Sequence, residues 1–259
     1  MKYIDYNFEE EISSQIEAMK SDETIKRLSK EWFLESLKFN YSYHFKALGL
    51  PIIQYPTDII ALQEIIWDTK PDLIIESGIA RGGSVVHNAS QLALLDYVDI
   101  IEGLKTLSDP RRHVVAIDID IRQKNRNALE NHSLAPYFTL IEGSSIDADV
   151  ISRVHSISGH YENILVLLDS NHTKEHVKKE LDAYASLVSV NNYCIVYDTV
   201  IEELPDIYSD RPWSVGNSPM NAVDDFLREN RTRFIIDDGI DAKLQFSVAP
   251  RGYLKRVED

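Results

Sequence analysis

The sequence predicts an α/β protein built on a mostly parallel, seven-stranded sheet with helices on both faces. Short apolar runs alternate with polar or amphipathic stretches of helix length, which is typical of β-α-β units. A glycine-rich turn separates an early strand-like run from a helix-like stretch, and several apolar runs end in an acidic residue. In such sheets, ligands bind beyond the carboxyl ends of the strands, where the strand order reverses. The pattern therefore also predicts where a site lies.

Seven apolar runs are predicted to be strands. They cover residues 73–76, 113–118, 137–142, 164–169, 192–198, 233–237 and 244–249. Between the first five lie polar or amphipathic stretches of helix length, such as 84–95, 123–131 and 173–187, so we expect these strands to run parallel with right-handed crossovers. A turn of sequence Asp-Gly-Ile-Asp joins the last two and is too short for a helical crossover, so we expect them to pair antiparallel.

The N-terminal segment differs in composition from the rest of the chain. Residues 1–50 are charged and helical in pattern, and they carry an aromatic cluster from Phe39 to Phe45. We expect them to form a helical cap or a contact between subunits of a homo-oligomer. Residues 51–259 are then expected to form one α/β domain.

Composition excludes several classes of function. The chain has 259 residues, a 44% hydrophobic fraction and a formal net charge of −15. Binding to nucleic acid or to an anionic membrane requires a basic surface, so we expect neither partner. The single cysteine, Cys194, lies in an apolar run and is expected to be a buried thiol in a reducing compartment. No signal peptide or membrane-spanning run is evident, which predicts a cytoplasmic location.

Five of the predicted strands end in or near an acidic residue. These residues are Glu76, Asp118, Glu142, Asp169 and Asp198. One such residue means little, because Asp is a common helix N-cap. Five at one edge of a sheet instead indicate a site for hydroxyl groups, an amine or a metal ion.

The glycine turn indicates which ligand is bound. Glu76 precedes Gly78, Gly82 and Gly83, a spacing that lacks the first glycine pair of the dinucleotide fingerprint. The order acidic-x-Gly-x-x-x-Gly-Gly resembles that of S-adenosylmethionine-dependent methyltransferases. In that class the glycine turn faces the methionine portion, and an acidic residue at the end of the second strand binds the ribose. Asp118 is the candidate for the ribose role, and Asp120 is its close rival.

Several longer segments resemble one particular family, the cephalosporin-hydroxylase-like methyltransferases, which include macrolide-sugar and rhamnosyl O-methyltransferases. The resemblance covers roughly residues 45–256 and is carried by residues 49–58, 70–84, 168–172, 197–198, 216–227 and 250–254. It implies a Rossmann-like seven-stranded methyltransferase fold, S-adenosylmethionine as the methyl donor and often Mg²⁺.

The resemblance also implies roles for individual residues. It assigns Asp118 to the ribose of the donor, Ser144 and Ser145 to the adenine, and the lining of the donor pocket to Glu76, Gly78, Arg81, Gly82 and Ser84. Asp169 and Asp198 match metal-binding positions, so Asp169 is expected to take part in catalysis with His172, which matches the position of a general base. Relatives commonly carry Glu-Asp where this chain has Tyr197-Asp198, which removes one carboxylate.

The function that the resemblance implies is Mg²⁺-assisted O-methylation of a small molecule or a sugar. One alternative is a nicotinamide-dependent oxidoreductase, which the glycine spacing disfavours. Another is a non-catalytic binding protein, which Tyr197 favours. Between the fifth predicted strand and a helix near Pro219, a long stretch carries Tyr208, Arg211 and Trp213. Long loops of this kind often cover a ligand, so these residues are candidates for contacting the acceptor.

Overall fold

A computed structural model of the protein describes residues 6–109, 111–204 and 210–258. Its centre is a seven-stranded sheet in the order β5-β4-β3-β6-β7-β9-β8. The first five of its strands in the chain run parallel, and β9 pairs antiparallel with both β7 and β8. The strands are β3 (Leu73–Ser77), β4 (His113–Asp118), β5 (Phe138–Glu142), β6 (Ile164–Leu168), β7 (Tyr193–Val196), β8 (Phe234–Ile236) and β9 (Tyr253–Arg256).

Helices cover both faces of this sheet, as predicted. On one face α3 and α4 pack against side chains such as Ile74, and on the other face α6, α7 and α8 pack against side chains such as Ile75. Alternate residues of each strand therefore enter different cores, which explains why a central strand such as β6 is apolar without interruption. The helices are α1 (Tyr6–Ser21), α2 (Glu23–Leu37), α3 (Pro56–Thr69), α4 (Gly83–Ile101), α5 (Gln123–Glu130), α6 (Ala148–Ser158), α7 (Lys174–Tyr184), α8 (Pro219–Asn230) and α9 (Asp238–Leu244).

The strand order reverses between β3 and β6. From β3 the chain builds outward through β4 to β5 on one side, and from β6 through β7 on the other. This is the switch point at which an open α/β sheet forms a crevice beyond the strand ends.

The prediction of a strand at residues 244–249 is wrong. α9 (Asp238–Leu244) forms where the short turn was predicted, residues 245–249 are neither helix nor strand, and the seventh strand is β9 (Tyr253–Arg256). Asp238 and Asp241 lie in the first turn of α9, where the helix dipole favours acidic side chains, and the residues that follow are good helix formers. The expected antiparallel pairing of the last two strands is confirmed, but the second strand begins later than predicted.

The N-terminal segment is helical over α1 and α2, and a short hairpin, β1 (Phe45–Ala47) and β2 (Leu50–Ile52), follows it. Nζ of Lys20 in α1 lies 2.7 Å from Oδ2 of Asp238 in α9. Ser36 of α2 shares a hydrogen bond of 2.8 Å with the buried Tyr55 hydroxyl. The segment thus packs on the sheet domain, while a domain boundary at residue 50 stays a prediction.

None of the helices within the described ranges combines the length and the apolar character needed to cross a bilayer.

Candidate active site

The glycine turn lies at the switch point of the sheet. β3 ends at Ser77, the chain turns through Gly78 (φ 95°) and Gly82 (φ 86°), and α4 begins at Gly83. A Cβ atom on Gly78 would lie 2.0 Å from the Asp169 carbonyl oxygen. Glycine is therefore required where the ends of β3 and β6 approach each other.

Glu76 lies near the end of β3, two residues before Gly78. Its side chain is buried, and it accepts hydrogen bonds from the Ser84 hydroxyl at Oε1 and from Asn88 Nδ2 at Oε2 (2.9 Å). Burial raises the pKa of Glu76 to about 7, against the lowering effect of these two hydrogen bonds. Ser84 therefore contacts Glu76 directly, in addition to its predicted place beside the donor.

Asp118 holds the glycine turn in place. Its Oδ2 accepts hydrogen bonds from the backbone N–H groups of Ile79 (2.8 Å) and Ala80 (3.1 Å), and its Oδ1 accepts one from Asp120 N (3.1 Å). Asp120 itself is exposed. The ribose role of Asp118 stays a prediction, with Asp120 as its rival. The hydrogen bonds show that Asp118 fixes the backbone of the glycine turn.

The other residues predicted to contact the donor lie in this turn and in the turn after β5. Ser145, after β5, is buried and shares a hydrogen bond of 3.1 Å with His176 Nε2, whereas Ser144 is half-buried. The Tyr184 hydroxyl donates to the Ser145 carbonyl oxygen at 2.5 Å. Arg81 is exposed at the outside of the glycine turn.

A second group of residues lies where β6 and β7 end. Asp169, His172 and Asp198 each offer a ligand atom, and these atoms lie within 4.8 Å of one another. His172 Nε2 lies 3.2 Å from Asp198 Oδ2. The two residues predicted as metal ligands and the one predicted as the base therefore form a single cluster.

The cluster is suited to a cation. Burial raises the pKa of the Asp169 carboxyl well above its usual value, and the Asp198 and Glu76 carboxylates raise it further. Gln54 Nε2 donates to Asp169 Oδ2 at 3.0 Å, while Gln54 Oε1 is buried without a partner among the described residues. The two carboxylates match the oxygen ligands of Mg²⁺ or Mn²⁺, which complete their coordination with water, and the imidazole beside them is suited to proton transfer.

Tyr197 lies where the resemblance predicts a carboxylate, and it is not a member of the cluster. Its ring is buried and lines a cavity of about 20 Å³ together with Asp58, Glu76 and Asp169. Burial raises the pKa of Tyr197 well above its usual value, and the three carboxylates raise it further. Its phenol therefore stays neutral beside a space that is large enough for about one water molecule.

A larger cavity of about 380 Å³ opens beside the cluster. Its walls come from the end of α2, the turn after α2, the glycine turn and the loop before α8. They include Phe33, Leu37, Tyr41, Tyr43, Gln54, Ala80, Asp169, His172, Asp198, Arg211 and Trp213. We name this cavity the acceptor pocket, after the acceptor contacts predicted for Arg211 and Trp213. The ring of Trp213 lies edge-on to the His172 ring, with centroids 6.2 Å apart.

Part of this pocket is missed by sequence reasoning. The aromatic residues near position 40 are predicted to form a cap or a subunit contact, yet Tyr41 and Tyr43 line the pocket. Gln54 carries no motif of its own, although it lies within a segment that resembles the family. Tyr208, a predicted loop contact, lies outside the described residues.

A groove of about 1060 Å³ occupies the opposite side of the sheet domain. It is lined by residues such as Ser13, Asn163 and Tyr193, and it contains none of the predicted site residues. The predicted site residues are thus concentrated at the carboxyl edge of the strands.

The strand order, the acidic residue before the glycine turn and the carboxylate at the end of β4 together define a Rossmann-like methyltransferase. A family model described as Rhamnosyl O-methyltransferase/CmcI matches residues 39–257. The chain belongs to this family. The predicted resemblance is confirmed, as is the class that it implies, an S-adenosylmethionine-dependent methyltransferase.

Individual proteins agree with this assignment. The Rhamnosyl O-methyltransferase of Mycobacterium tuberculosis (strain H37Rv) is 25% identical over 227 residues, covering 87% of this chain and 82% of that protein. The protein of the same name from Mycobacterium leprae is 24% identical over 210 residues, covering 81% of this chain and 82% of that protein.

Solved structures support the fold. The apo structure of CmcI superimposes with a TM-score of 0.52 and 19% identity, covering 84% of this chain and 78% of that one. A CmcI structure with Mg and SAM gives a TM-score of 0.51, also at 19% identity, covering 83% and 78%.

Proposed function

We propose that this protein transfers a methyl group from S-adenosylmethionine to a sugar hydroxyl, with a divalent cation held by Asp169 and Asp198. One observation carries the proposal. The cluster of Asp169, His172 and Asp198 opens into the acceptor pocket, whose wall also includes Ala80 of the glycine turn. A hydroxyl held at the cluster therefore lies close to a methyl group presented from that turn.

The transfer is an in-line displacement. The acceptor oxygen forms a bond to the methyl carbon while the carbon–sulfur bond breaks. The electron pair of the broken bond stays on sulfur, which becomes a neutral thioether. The hydroxyl proton must leave with a base, and alignment of the reacting atoms accounts for much of the rate. A bound cation supplies Lewis acidity, which makes a hydroxyl easier to deprotonate.

His172 is the base in this proposal. Its Nε2 lies 3.2 Å from Asp198 Oδ2, which favours the tautomer that carries the proton on Nε2. Nδ1 is then the nitrogen that accepts the hydroxyl proton. Asp198 orients the ring and shares the negative charge of the cluster with Asp169.

A sugar is the acceptor class that the pocket supports best. The volume of about 380 Å³ falls within the usual range for small-molecule sites, and Tyr41, Tyr43 and Trp213 offer flat apolar faces next to polar groups. The related mycobacterial proteins are named for rhamnosyl O-methylation. These two facts support a deoxysugar or a related glycan as the acceptor.

The experiment measures transfer of labelled methyl from S-adenosylmethionine to rhamnosyl glycosides and to non-sugar alcohols, with Mg²⁺ or with EDTA. We expect transfer to the glycosides, loss with EDTA, and a decrease of at least about 100-fold in Asp169→Asn, because the cation site loses a charged ligand. Asp182→Asn, on the exposed side of α7, is the matched control and keeps full activity. Transfer that survives both EDTA and Asp169→Asn would refute the cation role.

A second candidate is a protein that binds the donor without catalysing transfer, which Tyr197 favours because it replaces a carboxylate. In that case the donor product S-adenosylhomocysteine would raise the melting temperature, yet no acceptor in the panel would be methylated. A protein that binds neither the donor nor its product would exclude both candidates.

We also propose a cytoplasmic location, self-association and a helical cap that ends near residue 50. The lone, buried Cys194 is consistent with a reducing compartment. Leu94, Tyr97 and Ile101 form an exposed apolar stripe along α4, which supports contact with another copy.

A further inference from the structure

Gln54 is a buried polar residue that no motif assigns to the site. It lies between β2 and α3 and is 8% exposed, at the boundary between the acceptor pocket and the small cavity beside Tyr197. Its Nε2 donates a hydrogen bond of 3.0 Å to Asp169 Oδ2. Its Oε1 is buried and has no partner among the residues that the structure describes.

The backbone on both sides of Gln54 is fixed. A Cβ atom on Gly83 would lie 2.3 Å from the Pro51 carbonyl oxygen, so the β1–β2 hairpin rests directly on the first turn of α4. Ile52 and Tyr55 are buried, and the Tyr55 hydroxyl is tied to Ser36. Because its neighbours are anchored in this way, the Gln54 side chain has little freedom to leave Asp169.

The orientation of the amide follows from chemistry. Asp169 must be ionised to hold a cation, and an ionised carboxylate accepts hydrogen bonds only, so in that state the amide nitrogen of Gln54 faces Asp169 and the amide oxygen faces away. Across the described parts of the chain, no other side chain donates a hydrogen bond to Asp169. Among the neighbours that raise the pKa of Asp169, all are carboxylates.

Gln54 is more than a packing residue. Buried side-chain amides in protein cores usually have partners for both polar atoms, because an unpartnered one costs about 1–3 kcal/mol. In Gln54, Nε2 is hydrogen-bonded to the Asp169 carboxylate, whereas Oε1 has no partner among the described residues. This arrangement is typical of residues that orient a metal ligand without touching the metal.

We propose that Gln54 is a positioning residue for the cation site, holding the Asp169 carboxylate so that its remaining lone pairs face Asp198 and His172. This inference rests on the proposed function, because it requires that the cluster binds a divalent cation. It adds a residue from the segment before α3 to a site otherwise built at the ends of β6 and β7.

The test is a titration of the full-length protein with Mn²⁺, in which electron paramagnetic resonance measures the free and bound cation. In Gln54→Met, which keeps the length but removes both polar atoms, we expect the Kd for Mn²⁺ to rise by about 10–100-fold. Gln54→Asn withdraws the amide from Asp169 while staying polar, and the same rise is expected. Thr57→Val is the matched control, because it removes a hydrogen bond from the same segment, to Phe246 O, outside the cluster.

Binding of S-adenosylhomocysteine by calorimetry shows whether each variant is folded, and we expect its Kd to stay within about threefold of wild type. Wild-type Mn²⁺ affinity in both folded Gln54 variants would overturn the inference and leave the proposed function intact. A wild-type protein that does not bind Mn²⁺ would overturn both. Mn²⁺ binding without sugar methylation would refute the acceptor part of the proposed function alone.

Discussion

The proposed donor side and the proposed acceptor side of the site are built in different ways. The donor side comes from one strand-turn-helix unit, with Glu76 and the glycine turn, and from Asp118 on the adjacent strand. The acceptor pocket collects side chains from α2, the turn after it, the ends of β6 and β7, and the loop before α8. Changes on the donor side should therefore affect stability and donor binding together, whereas changes on the acceptor side should affect the acceptor alone.

The largest effect is expected at Gly78, where the donor turn touches the end of β6. In Gly78→Ala the new Cβ would lie 2.0 Å from the backbone oxygen of Asp169 and the residue would keep φ near 95°. Backbone strain and the clash together should cost about 3 kcal/mol or more of the free energy of unfolding. Urea denaturation and calorimetry with S-adenosylhomocysteine measure the two losses, which we expect to occur together.

Gly49 provides the matched control for this change. It has nearly the same backbone conformation, φ 93°, in the β1–β2 turn, but a Cβ there would meet nothing within 4 Å. Gly49→Ala should therefore show the strain alone, about 1 kcal/mol, with donor binding unchanged. Equal losses at the two glycines would mean that the close approach of β3 and β6 is not what requires Gly78.

The same contrast explains what could be predicted from the sequence. Glu76, Gly78 and Asp118 were identifiable because their roles depend on spacing along one β-α-β unit, and the structure brings them together. Gln54 and Tyr43 were not assigned to the pocket, because the chain brings them there only when the hairpin packs on α4. The strand wrongly predicted at 244–249 has a tertiary cause, because Ser247 Oγ and the Val248 N–H donate hydrogen bonds to the distant, buried Asp58 and not to a neighbouring strand.

The second-largest effect is expected from ionisation of Glu76, which makes the free energy of unfolding depend on pH. Its pKa in the folded protein is about 7, above the ordinary value of 4.5, so the folded state favours the protonated form. This contribution to stability is fully present below pH 4.5 and is lost as the pH rises through 7. Ionisation of Glu76 should cost up to about 3 kcal/mol at pH 8.

Glu76→Gln tests this dependence, because glutamine imitates the protonated side chain at every pH. Asn88 Oδ1 has no partner within the described residues, so a rotated Asn88 amide can accept a hydrogen bond from the new side chain. We expect a higher melting temperature than wild type at pH 8, little difference at pH 4, and weaker binding of S-adenosylhomocysteine. A gain of the same size at both pH values would show that ionisation of Glu76 is not the cause.

The smallest effect is expected at Trp213, on the acceptor side. Its ring lines the acceptor pocket beside His172, so Trp213→Leu should remove one flat wall without disturbing the glycine turn. We expect the KM for the sugar to rise by about tenfold, which corresponds to about 1.4 kcal/mol, with the Kd for S-adenosylhomocysteine within about twofold of wild type. Trp67→Leu, at a half-exposed position on α3 away from the pocket, should change neither constant. If Trp213→Leu weakened binding of the donor product as much as that of the sugar, the two sides of the site would not be separable, and the acceptor pocket would have to be considered part of the donor site.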